Sequence, residues 1–304
     1  MQILLMNTDI SGRYPVKALR TDDTDGCEQD ACILEATGDL AARELLGIRT
    51  DDFLEASEEG YTTGRLYIDA ITEMDGVTTV YSRGMSAKGI EKGWSSFENV
   101  TLMELMHLAA SELKMGYQQF GITDQKYERL IRKGETWIEF LRRLLRLEGA
   151  VLKCTDGKLT AVSIPWAQAQ NPVRTYEITS ETNGCLYTEN FRAYRECILS
   201  GIDLQGKATD TAVPGDRQWK PGDIQPQNAK QGKRWAQGEL LAVNRMCSTL
   251  RLDLTFTPGI AAMSRVDITG MSITKGQWIV GRIEQDLIQK TSRMYLRPCI
   301  TTIQ

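Results

Sequence analysis

Apolar and polar residues alternate with period two through much of the first hundred positions, the pattern of half-buried strands. RLYIDAITEMDGVTTVYSRGMS, from Arg65, is two such runs joined at Asp75-Gly76, residues that tolerate the positive φ of a tight hairpin. Before it, DLAARELLG over 39–47 reads as a short helix closed by Gly47.

The period then changes to that of helices. TLMELMHLAASELKMG opens with Thr101 and Glu104 and ends at Gly116. TWIEFLRRLLRLEG opens with Thr136 and Glu139 and ends at Gly149. In each, the Thr hydroxyl and the Glu carboxylate are spaced to satisfy first-turn N–H groups reciprocally, and the glycine supplies the stop. YQQFGITDQKYERLIRKGE links the two helices. AVLKC and KLTAVSI flank a Thr155-Asp156-Gly157 turn and read as a hairpin, and 164–170 reads as a connector.

Period two then returns. RTYEITS and NFRAYRECILSGIDL precede a Gly/Pro-rich polar stretch, 206–228, long enough for an exposed functional or mobile loop. A helix over about 229–246 follows. In STLRLDLTFT, Leu250, Leu252, Leu254 and Phe256 share one face, opposite Arg251, Asp253 and Thr255. RVDITGM, QWIVGRIEQDLI and RMYLRPCI complete an antiparallel set. The order is β, then α-rich, then β, without the βαβ alternation of a doubly wound sheet.

Three arginines in the second helix raise the question of a basic grip on nucleic acid or lipid. On a helix from Trp137, the residues Trp137, Leu141, Leu144 and Leu145 share a face flanked by Phe140 and Leu147. Arg142, Arg143 and Arg146 share the other, with Glu139 three and four residues before the first two. This is the pattern of a packed helix with a solvated charged face. The chain of 304 residues is 41% hydrophobic and 25% charged with net charge −4, so no global pull toward nucleic acid exists. No apolar run approaches the ~20 residues of a membrane span. MQILLMNTDI lacks the basic start and cleavage site of a secretory signal.

Candidate chemistry is sparse. The seven cysteines include no CxxC pair and read as buried thiols, and Cys27 and Cys32 pair only if they lie on facing segments. The single histidine, His107, sits in an apolar helical run and reads as a half-buried packing residue. No GxSxG or HExxH occurs. TDDTDGCEQDAC, from Thr21, approaches a calcium loop at Asp23, Asp25 and Gly26. It lacks the first acid and the closing Glu, where Cys32 stands, and reads as a solvated acidic turn. Asp51/Asp52 and Glu58/Glu59 are the carboxylate pairs available to a glycoside hydrolase. Asn99-Val100-Thr101 matches a glycosylation sequon but reads as the approach to a helix cap. No catalytic, cofactor or metal residue is assigned, and no cofactor is expected.

FENVTLMELMHLAASELKM, YERLIRKGETWIEFLRRLLRLEGAVLKCTDGKLTAVS and GQWIVGRIEQDL together resemble the phage late control protein D family, the baseplate hubs of contractile tails and tailocins. Ser96-Phe97-Glu98 with Thr101-Leu102 matches its first helical segment. Trp137 through Gly149-Ala150, with Phe140-Leu141 and Arg143-Leu144, matches the second. Asp156-Gly157-Lys158-Leu159 matches its hairpin, and Trp278 lies in its C-terminal strand. Gln285 and Asp286 stand where the family often carries a His, so no role of that His transfers. The resemblance spans about 64–300; the first sixty residues and 206–228 match poorly.

The resemblance implies an α+β, mainly β fold. Two tube-protein-like antiparallel β-barrel domains, 1–95 and 166–304, would flank a small α/β insertion, 96–165. The structural motif residues are Thr101, Glu104, Thr136, Trp137, Glu139, Leu141, Gly149, Gly157 and Trp278. The implied role is non-enzymatic: a hub joining a sixfold tail tube to a threefold spike. Its implied partners are two further copies in a homotrimer, the tube protein above, the spike below, and other baseplate and tape-measure proteins. Specific nucleic-acid binding is not expected. Synthesis in the bacterial cytoplasm and assembly into the particle baseplate are. The rival readings are a tail-associated peptidoglycan hydrolase using two carboxylates and a cell-wall-binding β module.

Overall fold

The computed structural model describes residues 1–26, 30–37, 52–201 and 204–304. The helix expected over 39–47, Cys27 with its pairing to Cys32, and Asp51 lie outside the described residues.

Among the described residues the chain opens with eight strands: β1 (Gln2–Leu5), β2 (Thr8–Asp9), β3 (Val16–Thr24), β4 (Ala31–Thr37), β5 (Phe53–Glu58), β6 (Tyr61–Thr62), β7 (Leu66–Met74) and β8 (Val77–Arg83). A middle segment follows: β9 (Gly93–Thr101), α1 (Leu102–Leu113), β10 (Gly116–Phe120), β11 (Lys126–Glu135), α2 (Trp137–Leu147), β12 (Ala150–Thr155), β13 (Lys158–Ser163) and α3 (Ile164–Ala169). The rest comprises β14 (Arg174–Ile178), β15 (Cys185–Glu189), β16 (Glu196–Gly201), β17 (Leu204–Thr209), β18 (Gln218–Trp219), α4 (Ala229–Asn244), β19 (Ser248–Thr255), β20 (Arg265–Gly270), β21 (Gly276–Asp286) and β22 (Thr291–Pro298).

Mainly β, the fold carries the same strand order twice. The first unit runs β3-β4-β8-β7-β5-β1 and the second β15-β19-β22-β21-β20-β14. The units match in detail. β7 carries a bulge at Asp69, between Ile68 and Ala70, and β21 one at Gly281, between Val280 and Arg282. They differ at the last pair, where β1–β5 is antiparallel and β14–β20 parallel. β3 and β21 then pair antiparallel, so both units belong to one 14-stranded sheet.

The alternation in sequence translates into burial. Leu19, Leu34, Leu54, Leu66 and Val80 fill the first unit's core; Leu250, Leu252, Val266, Val280, Met294 and Leu296 fill the second's. The β7–β8 turn has φ of 53° at Asp75 and 72° at Gly76, the double positive that a two-residue hairpin requires.

A third core lies under α1 and α2. Thr101 and Glu104 form a reciprocal capping box, with N–H···O distances of 2.7 and 3.2 Å. Thr136 and Glu139 form another, at 2.8 and 3.1 Å. Trp137, Ile138, Phe140, Leu141, Leu144, Leu145 and Leu147 are all buried, a broader face than the four-residue stripe. The linker between the helices is β10 and β11, each pairing out of its own segment, β10 with β13 and β11 with β9. The connector at 164–170 is mostly helix, capped by Ser163.

This core also takes Cys197, Leu199, Ala208, Trp235, Ala236 and Leu240 from the later chain, so the hairpin β16–β17 and α4 pack onto the helical segment. A Cβ on Gly206 would run into the backbone of Gly232, which is why β17 and α4 lie so close. The stretch 206–228 is thus only in part the exposed loop expected: 211–217 and 220–228 are irregular and mostly exposed. It begins as β17, and Arg195 Nη1 donates to the carbonyls of Asp210, Thr211 and Val213 at 3.0, 3.0 and 2.8 Å.

Candidate assembly site at the joint of the two units

The acid-rich run from Thr21 is the end of β3, and its alternation sends carboxylates to both sides of the joint. Arg282 Nε donates to Asp22 at 2.8 Å across the β3–β21 ladder. Asp23 pairs with Lys153 of β12 and accepts the backbone N–H of Ala262 at 2.8 Å. Asp25 accepts from Arg245, just past α4, at 2.9 Å, both side chains being at most 5% exposed. One short acidic segment therefore clamps the first unit to the second unit, to the helical segment and to the end of α4. It is not the solvated turn expected, since Asp25 and Asp30 are buried, and among the described residues it forms no metal-holding group. Large sequence separation hid this, because the partners lie 130, 220 and 260 residues along the chain.

Asp30 completes the cluster and accepts the Thr24 N–H at 2.9 Å. Burial first, then the neighbouring Asp23 charge, push its carboxyl up to about 7. Burial pulls the Lys153 ammonium down, but Asp23 and Asp30 outweigh it and its pKa is raised. Asp22, Asp23, Asp30, Tyr61, Lys153 and Ser264 line a cavity of about 380 Å³ at this joint. Asp22 and Asp23 answer Arg282 and Lys153 there, an arrangement suited to fixing strands.

The arginine stripe is likewise spent on packing. Arg143 makes a two-pronged contact with Glu135, both at 2.8 Å. Arg146 reaches Glu239 of α4 at 2.9 and 2.6 Å. Glu139 serves the cap of α2. Glu148, at the end of α2, accepts from Tyr127, Arg234 and Trp235.

The remaining motif residues have structural surroundings. Trp137 lies under the Arg132 guanidinium at 4.2 Å and donates to Glu112. Leu141 is fully buried. Gly149 and Gly157 have φ of 67° and 66°, the first ending α2 and the second turning the β12–β13 hairpin. Trp278 is buried and donates to the Thr274 carbonyl at 2.9 Å.

Residues weighed for chemistry are dispersed. His107 is exposed, edge-on to Tyr117 with ring centroids 5.6 Å apart, rather than half-buried. Glu58 and Glu59 both engage Lys290. Burial pushes the thiols of Cys32, Cys154 and Cys197 up to about 12, which keeps them protonated. Among the described residues, no group of three or more His, Cys, Asp or Glu side chains is placed to hold a metal ion. Among the same residues, no helix is long and apolar enough to cross a membrane.

By sequence the chain matches no protein-family profile and no curated protein. By structure it is similar to a tail protein from Neisseria meningitidis, with TM-score 0.74 and 11% identity over 98% of this chain and 95% of that one. It is similar to the 43 kDa tail protein of prophage MuSo2 from Shewanella oneidensis, with TM-score 0.72 and 13% identity over 98% and 97%. An E. coli component of the type VI secretion system, itself structurally similar to T4 bacteriophage tail proteins, aligns with TM-score 0.61 and 8% identity over 99% and 77%. The chain has the fold of these phage tail and type VI secretion proteins.

Proposed function

We propose that the chain is the structural hub of a contractile tail or tailocin baseplate, where three copies join the sixfold tail tube to the threefold spike. The observation that carries this reading is the doubled strand order, set side by side in one sheet through β3–β21. Three chains with two such units each present six equivalent surfaces to a sixfold ring and three to a trimer. The fold likeness to tail proteins over 98% of the chain supports the same setting.

In this reading the chain divides at 1–95, 96–165 and 166–304, with 196–244 of the last part docked on the insertion. The role in this reading is non-enzymatic, and the commitment of Asp22, Asp23 and Asp25 at the joint to ion pairs supports it. Its partners are the tube protein, the spike and neighbouring baseplate proteins, and it reaches them after synthesis in the bacterial cytoplasm.

The test is a tagged chain expressed in the strain that encodes it, followed by purification of tail particles, copy counting by quantitative mass spectrometry and cryo-EM. Three copies between tube and spike are expected. Absence from the particle, or six copies in it, overturns the reading. Clearing of purified cell walls by the isolated chain would favour the hydrolase instead, and sedimentation with intact walls the binding module.

A further inference from the structure

Apart from the ends at β1–β2 and β14, each unit has two open strand stretches among the described residues, and the β3–β21 joint uses one of each. In the first unit the other is the outer half of β7. β5 pairs with β7 only at Leu66 and Tyr67, and among the described residues Ala70–Met74 pair with β8 alone. In the second unit the other is β15, which among the described residues pairs with β19 alone. The repeat makes these edges counterparts of the joint. β21 gives its first half to β20 and its second half to β3. β7 gives its first residues to β5 and, among the described residues, leaves its second half open. β15 occupies in the second unit the place that β3 holds in the first.

Resting on the hub reading, we propose that β15 of one copy pairs antiparallel with the outer half of β7 of the next, repeating the β3–β21 joint between chains. The repeat also sets the register. One row across the first unit runs Ala70, Tyr81, Ile33, Arg20. The corresponding row across the second runs Arg282, Tyr295, Arg251, Leu186. Leu186 therefore stands where Arg20 stands, and Met74 where Asp286 stands. At the joint Arg20 faces Asp286, with Thr21, Asp22 and Asp23 facing Gln285, Glu284 and Ile283. Between copies this places Leu186 opposite Met74, Tyr187 opposite Glu73, Thr188 opposite Thr72, and Glu189 opposite Ile71.

Side-chain chemistry agrees with that register. Met74 is 74% exposed and Leu186 49%, and the transferred pairing brings these two apolar side chains together. Ile71 shares a face with the buried Val80, yet is itself 37% exposed because nothing among the described residues lies beyond it. A strand added at that edge covers it. Head-to-tail pairing of unlike edges generates a ring when the rotation closes, which is the closure a trimer needs.

The experiment places cysteines at Thr72→Cys and Thr188→Cys together, in tail particles, followed by oxidation and a non-reducing gel. Opposed strand residues lie within disulfide reach, whereas a one-residue slip turns the side chains to opposite faces. The expected result is linked chains up to a trimer, with loss of linking in Thr188→Cys combined with Glu73→Cys and in each single variant. The single variants report any linking through native Cys185. Three copies per particle with no excess linking in the Thr72/Thr188 pair overturns the edge assignment and leaves the hub reading standing. Another copy number, or absence from the particle, overturns the hub reading and the inter-chain pairing with it. A charge exchange gives a second readout: Met74→Asp is expected to reduce ring assembly, and adding Leu186→Arg to restore it by recreating the Arg20–Asp286 chemistry. Equal assembly by the parent and both variants counts against the register.

Discussion

Replacing Asp30 by Asn should stabilise the protein at neutral and alkaline pH while leaving it almost unchanged in acid. Asp30 is buried among Asp23, Lys153 and Thr155, and its carboxyl is pushed from the ordinary 3.8 to about 7. Below about pH 4 the group is protonated in the folded and unfolded chain alike. Between about pH 4 and 7 the folded chain keeps the proton and the unfolded chain has lost it, so stability falls as pH rises. Above that window both states are ionised and the full penalty remains. A shift of this size corresponds to about 4 kcal/mol. Lys153 and the Thr24 N–H already moderate that shift, so a difference of about 4 kcal/mol between variant and parent is expected at pH 8.

Asparagine keeps an oxygen for the Thr24 N–H, which sits 2.9 Å from Asp30 Oδ1, and removes only the titration. Urea unfolding at about pH 4.5, 6 and 8 measures the difference, which should widen steadily with pH. Other carboxylates, among them Glu135, held low chiefly by Arg143, change their contribution at lower pH, and they do so in both proteins and cancel. A difference that stays flat within about 0.5 kcal/mol from pH 4.5 to 8 would show that Asp30 is ionised as in water and that the joint is wet.

Trp137→Ala removes a side chain packed between Phe97 and Phe140, with centroids at 5.7 and 6.0 Å, and should cost about 3–5 kcal/mol by denaturant titration. An unchanged unfolding midpoint would contradict the core placement of α2. Arg146→Glu sets a carboxylate beside the buried Glu239 and should cost about 1–3 kcal/mol, whereas Arg143→Ala, at an exposed pair, should cost under about 1 kcal/mol. Equal effects from the two would mean that Arg146 does not hold α4. His107→Gln should leave stability and particle activity unchanged, and loss of activity in particles that assemble normally would assign His107 a role.

Elements whose determinants are local were legible in the sequence. The capping boxes at Thr101 and Thr136 need only residues three apart, and the Asp75-Gly76 turn needs only two adjacent residues, so each shows at its own position. The helix stripe was legible as a packed face. Its partners were not, because Glu239 lies 93 residues beyond Arg146. β10 and β11 read as a linker, since their pairing strands β13 and β9 lie outside the interval and mostly polar strands carry little periodic signal. The acid cluster at 21–25 was misread for a related reason. Charged residues in sequence suggest solvent, and only the arrival of Lys153, Arg245 and Arg282 from three distant segments makes burial tolerable. The doubled strand order left almost no trace in residue identity: Cys32 and Leu250 fill one position of the repeat, Thr21 and Tyr187 another.

That divergence has a physical use where the two kinds of joint differ. The β3–β21 joint is intramolecular, so its formation carries no cost of association and can tolerate ion pairs such as Arg20–Asp286 that contribute little net stability. A joint between chains must repay lost translational and rotational freedom, and Met74 with Leu186 offers apolar burial at the same position of the repeat. The difference also separates right from wrong partners. Were β3 of one chain to take β7 of another, Arg20 would face Met74 and lose its carboxylate. Were β15 to take β21, Asp286 would face Leu186 and lose its guanidinium. Both exchanges strand a charge against an apolar side chain, and Arg282 would in addition lose Asp22, its partner at 2.8 Å. Edges of identical strand order are thereby kept from substituting for one another, which a chain built from two copies of one unit requires if it is to close a ring rather than pair at random.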